Sequence, residues 1–97
     1  MKTLDMDEVI KRLRAYSAAG ADVLYAPGIK PLDATARIVR EVDKPVNANL
    51  TATGLSVRDF AGVGVRRVSV GGALARATYA AFDGFTALLR DEGRLPV

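Results

Sequence analysis

The sequence predicts an α/β fold, part of a (β/α)8 TIM-type barrel, in the order αβαβαβα with parallel strands. Three observations predict it. Short apolar runs starting near Val23, Val46 and Val68 recur at intervals of roughly 22–23 residues. Each run is followed by a stretch with helical spacing, and strand–helix alternation is the mark of parallel sheets with right-handed crossovers. Each run also ends in turn-forming residues: Pro27-Gly28, Thr51-Ala52-Thr53-Gly54 and Gly71-Gly72. Three strands are too few to close a barrel of eight units, so the 97 residues are read as one domain, a fragment of a larger barrel.

The first helix starts at Asp5 or Asp7, either of which can accept the free N–H groups of a first turn, and runs to about Ala19. Val9, Ile10, Leu13 and Tyr16 form its apolar stripe. Gly20 closes it with a positive φ. Val23 to Ala26 reads as a strand covered on both faces, with Tyr25 in the core. Pro27 has no N–H to donate and ends that strand. Lys30-Pro31-Leu32-Asp33 opens the second helix, which carries Ala36, Ile38, Val39 and Val42 and stops near Pro45.

Val46 to Leu50 is the second strand. Alternation puts Val46, Ala48 and Leu50 on one face and Asn47, Asn49 and Thr51 on the other. Three polar side chains in a row at the end of a buried strand need partners or a ligand. Ser56 caps a short third helix anchored by Phe60. Val65 to Val70 is the third strand, with Arg66 and Arg67 on opposite faces, and Arg67 is placed to pair with Asp22 or Asp43. The last helix spans about Ala73 to Asp91. Its apolar residues spread widely around the wheel, which predicts burial on more than one side.

Composition narrows the function. The net charge is +3, and no basic run exceeds two residues, so nucleic-acid binding is not expected. Cysteine and histidine are both absent, which removes disulfides, thiol nucleophiles, the commonest general base and the commonest zinc ligands. Ser69 therefore has no histidine to activate it. The apolar stretches are too short to span a membrane, and Asp5, Asp7 and Glu8 fall where a secretory leader would need an apolar core. A cytoplasmic location is the expectation. The acids at 5–8 are read as helix-start residues rather than metal ligands. Gly71-Gly72 is read as a tight turn, with an anion cradle as the alternative.

Three segments in order carry a resemblance. Ala-Gly-Ala-Asp-Val-Leu-Tyr-Ala-Pro-Gly (19–28), Pro-Val-Asn-Ala-Asn (45–49) and Gly-Val-Arg-Arg-Val-Ser-Val-Gly-Gly-Ala-Leu-Ala-Arg-Ala (64–77) resemble the isocitrate lyase/phosphoenolpyruvate mutase superfamily. The branch they resemble is the carboxyvinyl-carboxyphosphonate phosphorylmutase-like or methylisocitrate lyase-like one. The match covers nearly the whole chain, from the helix before the sixth barrel strand to the eighth helix. It implies a lyase or phosphonomutase-like enzyme acting on small 2-oxo or 2-hydroxy carboxylates with Mg²⁺. On that resemblance Asn49 is a carboxylate-binding amide, with Thr51 beside it and Ser69 near the same pocket. Asn47, Gly28 and Gly71 complete the substrate-binding set. Gly28 stands where the lyases place a glutamate. The superfamily's metal-binding aspartates, its catalytic loop with lysine and cysteine, and its substrate-clamping arginine all lie ahead of the matched region, so no catalytic residue or metal ligand is assigned here. The resemblance also implies a homo-oligomer, through exchange of the last helix. The alternatives are a non-catalytic oligomerising remnant and a phosphate-binding half-barrel using Gly71-Gly72.

Overall fold

A computed structural model describes residues 5–51 and 54–96. Over them the chain forms α1 (Met6–Ala18), β1 (Leu24–Tyr25), α2 (Leu32–Glu41), β2 (Val46–Asn49), α3 (Val57–Gly62), β3 (Arg67–Ser69) and α4 (Ala73–Glu92). The expected order holds throughout, and the strands are shorter than the apolar runs suggested. Ala52 and Thr53, in the loop after β2, lie outside the described residues.

Local chemistry sets the ends of the elements. The Asp5 carboxylate accepts from the Asp7 and Glu8 N–H groups at the start of α1. Asp7 pairs with Arg37, and Glu8 bonds Arg12 one turn on, at 3.0 Å. The acids at 5–8 are thereby engaged in helix capping and ion pairs. After α1, Gly20 takes φ +110, and the Ala21 N–H reaches back to the Tyr16 carbonyl. Ser56 and Asp59 form a reciprocal capping box at α3.

The strands form one parallel sheet in the order β1-β2-β3. Leu24 pairs with Val46, Asn47 with Arg67, and Asn49 with Ser69. The helix-facing side is apolar. Leu24 (1% exposed) and Val46 pack with Ile10, Leu13 and Ile38 beneath α1 and α2. Ala48 packs with Phe60 and Val65 beneath α3. Tyr25, Asn47, Asn49, Arg67 and Ser69 lie on the opposite side.

Four expectations are corrected. Val23 and Tyr25 are each 42% exposed, because none of the four helices covers the inner side of β1. Tyr25 is therefore not a core residue. Tyr16 is 53% exposed, at the solvent edge of the α1 stripe. Arg67 forms no ion pair among the described residues, and Asp43 instead accepts from the Ser17 hydroxyl at 2.6 Å. The largest departure is α4, which has no buried residue and adds nothing to either apolar cluster. The molecule measures 59 × 30 × 25 Å, with a radius of gyration of 18.6 Å. A chain of this length that closed on itself would have about 13 Å.

The Ser17 hydroxyl bond, more than any other cause, holds the Asp43 carboxyl below the usual aspartate range. A carboxyl lowered on folding stabilises the fold at pH values above its unfolded titration, and that contribution disappears as pH falls through the folded midpoint. Ser17→Ala is expected to raise the Asp43 midpoint toward the unperturbed value. A ¹³C-detected pH titration of the Asp43 carboxyl checks this, and an unmoved midpoint would show that the serine does not hold it.

Candidate functional site

Parallel strands deliver their carboxyl ends to one side of the sheet, and the segments that follow them build a site there. In this chain the ends of β1 and β2 and the start of α2 enclose a cavity of about 50 Å³. Its walls include Gly28, Ile29 and Lys30 from the loop after β1, Thr35 from α2, and Asn47, Asn49 and Thr51 from β2 and its exit. A volume of that order holds a water or two, or one carboxylate group. The Gly28 backbone has φ +88, a conformation that a side-chain-bearing residue adopts only with strain.

Of the six sequence-derived site residues, the fold gathers four, Gly28, Asn47, Asn49 and Thr51, around this one cavity. Ser69 joins them indirectly: the Asn47 Nδ2–H donates to Ser69 Oγ at 3.0 Å across the β2–β3 ladder. Gly71, at φ +52, lies against Asn49, where a Cβ added to it would sit 3.6 Å from both amide heads. Gly72 is the N-cap of α4, and the Arg76 guanidinium folds over it.

The amide groups are not satisfied. The Oδ1 atoms of Asn47 and Asn49 are both shielded from solvent and have no partner. Asn47 as a whole is only 4% exposed. A buried amide head without a bond costs about 1–3 kcal/mol. Rotating either amide by half a turn only exchanges which head is stranded. As placed, both stranded atoms are acceptors, and Asn47 already spends an N–H on Ser69; with the Asn49 amide turned by half a turn, its stranded group becomes an N–H, which an anion completes.

Lys30 is the wall residue that sequence reasoning missed. Its signal was its place, two residues past Pro27-Gly28, in a loop leaving the carboxyl end of a strand. Among the described residues it is the one cationic residue that borders the cavity, and no acidic residue does. The residues that border the cavity include Lys30, Asn47, Asn49 and Thr51, with Ala26, Ile29, Ile38, Val46 and Ala48 making much of the wall apolar. Mg²⁺ takes six oxygens, usually including carboxylates, and among the described residues no three acids lie together. The cavity does not fit that ion; Lys30, Thr51 and an Asn49 amide turned to present its N–H are groups that suit a small anion.

Comparison with known proteins identifies the family to which this fold belongs. Residues 1–89 match the sequence profile of phosphoenolpyruvate phosphomutase. The chain is 37% identical over 67 residues to the uncharacterized protein Rv1998c of Mycobacterium tuberculosis (strain ATCC 25618 / H37Rv), covering 69% of this chain and 26% of that one. Among solved structures, a candidate lyase/mutase from Burkholderia cenocepacia J2315 superimposes with a TM-score of 0.88 at 49% identity, over 94% of this chain and 34% of that one. Oxaloacetate acetylhydrolase in complex with its product oxalate gives 0.85 at 28% identity, over 94% and 33%. A 2,3-dimethylmalate lyase shares the fold, with a TM-score of 0.82 at 24% identity over 94% and 34%. This chain thus spans about a third of the length of these structures and about a quarter of the curated relative. With its profile match, its parallel αβαβαβα order and its partial (β/α)8 barrel, the chain belongs to the phosphoenolpyruvate phosphomutase family, within the isocitrate lyase/PEP mutase superfamily.

Proposed function

We propose that this chain is the carboxylate-holding, carboxyl-terminal portion of a carbon–carbon lyase or phosphonomutase-like enzyme of small 2-oxo or 2-hydroxy carboxylates, working in the cytoplasm. One observation carries the reading. The carboxyl end of β2 sets two buried amides with an unpaired Oδ1, Asn47 and Asn49, beside Ser69 and Thr51, and the adjoining cavity is bordered by Lys30 and, among the described residues, by no acid. With its amide turned so that the N–H takes the place of the orphaned Oδ1, Asn49 donates to a carboxylate together with Thr51, and Lys30 offsets its charge. Gly28 leaves the floor open, Gly71 backs the Asn49 amide, and Asn47 and Ser69 form the β3 side. Breaking a carbon–carbon bond beside a carboxylate also needs a base and a place for the electron pair. The cavity wall holds no Asp, Glu, His or Cys. The base, and the Mg²⁺ that the resemblance implies, then come from outside this chain, which binds and orients but does not turn over substrate alone.

Oxalate is the probe. Titrated into the ¹⁵N-labelled chain, it is expected to shift the Lys30, Asn49 and Thr51 signals, and Asn49→Ala is expected to weaken binding by roughly tenfold or more, the scale of a lost hydrogen bond to a charged group. No shift with oxalate would overturn the reading. Shifts confined to Gly71 and Gly72 with inorganic phosphate would replace it with a phosphate-binding half-barrel.

The bare surface of α4 favours a second reading alongside the first: the chain is a homo-oligomer. Leu74, Phe82, Phe85 and Leu89 are each 50–70% exposed on one side of the helix, an apolar stripe that a single copy leaves uncovered. This holds equally for a non-catalytic remnant that persists by self-association.

A further inference from the structure

Asn47 is nine-tenths buried and bonded to Ser69, yet it is set back one row from the strand end where Asn49 and Thr51 stand. Its place suggests that it does not work by touching a ligand. A hydroxyl has one proton and two lone pairs. When an N–H occupies a lone pair, the proton is free to point elsewhere. The Ser69 backbone carbonyl is already engaged by the Leu50 N–H at 2.6 Å, within the ladder. Ser69 is in register with Asn49, so its hydroxyl and the Asn49 amide stand side by side on the inner face.

We infer that Asn47 is a positioning residue: its Nδ2–H holds Ser69 Oγ so that the serine O–H is presented, beside Asn49, to a bound carboxylate. This rests on the carboxylate reading above. The chemistry is matched, because an ionised carboxylate only accepts hydrogen bonds. A serine free to rotate would offer its lone pairs to that anion part of the time. A serine held from behind by an amide offers its proton. The same arrangement argues against Ser69 as a nucleophile within this chain, since among the described residues no base accepts its proton.

The test is a cycle of Asn47→Leu, Ser69→Ala and their combination, with oxalate binding to the full chain followed by NMR titration. Each single change is expected to weaken binding by roughly tenfold. The double change is expected to cost no more than Ser69→Ala alone, because Asn47 acts only through the serine. Losses that multiply to roughly a hundredfold would mean that Asn47 meets the ligand itself, and would overturn the inference. So would an Asn47→Leu chain that binds normally. A second measurement needs no change at Asn47: its side-chain NH₂ signal is expected to exchange slowly and to move in Ser69→Ala. An unmoved signal would overturn the pairing even if Asn47→Leu does not fold. Absence of oxalate binding by the unchanged chain would overturn the carboxylate reading, and this inference with it. Binding unaffected by Asn47→Leu would overturn this inference alone.

Discussion

Carrying Phe82→Asp and Phe85→Asp together, the chain is expected to run as a monomer of 10.3 kDa by light scattering, whereas the unchanged chain runs at a multiple of that mass. The two rings are 64% and 50% exposed on α4, one turn apart. Burying a phenylalanine contributes about 1.5–3 kcal/mol. Losing two from an interface then costs on the order of 4 kcal/mol, roughly a thousandfold in dissociation constant. The added carboxylates would also have to be desolvated, which pushes the same way. The change touches no residue of the apolar clusters, so the sheet and its helices should keep their stability. An unchanged chain that runs at 10.3 kDa at micromolar concentration would rule out self-association through α4. A variant that stays oligomeric would place the contact elsewhere.

Leu24→Ala is expected to be the most damaging single substitution in the fold. Leu24 is 1% exposed and is the bulkiest fully buried side chain. It is the point where β1 meets α1, α2 and Val46. Removing its branched end leaves a cavity that a two-residue strand cannot collapse around, at a cost of about 3 kcal/mol. Domains of this size are stable by only about 5–10 kcal/mol. Urea denaturation at fixed protein concentration should show the midpoint falling by more than about 1 M. Tyr16→Ala serves as the comparison. That ring is 53% exposed, so the change should stay within about 0.5 kcal/mol. Equal losses at the two positions would mean that β1 does not anchor the core as its burial indicates.

The places where sequence reasoning held and where it failed have one physical cause. Alternation in Val46–Asn49 placed Asn47 and Asn49 on the side away from the helices, because a period of two needs only the strand itself. The Ser56 cap and the Phe60 anchor of α3 were equally legible, since their partners lie within a few residues. Tyr25 and the whole of α4 were not. An apolar side chain signals a tendency to be covered, but it does not say whether the covering surface is on the same chain. Arg67 failed for the electrostatic version of this reason: an arginine at a strand start calls for a carboxylate, and Asp43 had a nearer donor in Ser17. Lys30 was missed because a lysine in a loop looks like any surface lysine until the fold brings the loop over a cavity.

The sheet order has a consequence for how the chain comes to be folded. Each strand pairs with the next one in sequence, Leu24 with Val46 and Asn47 with Arg67, so that every rung closes over only one intervening helix. Such connections carry a small loop-closure entropy. Parallel pairing across a crossover is slower than the folding of helical bundles, and synthesis proceeds at roughly 5–20 residues per second. Pairing can therefore follow the order of the chain, β1 with β2 and then β2 with β3. α4 follows β3 and joins neither apolar cluster, which leaves its apolar stripe to find its own surface.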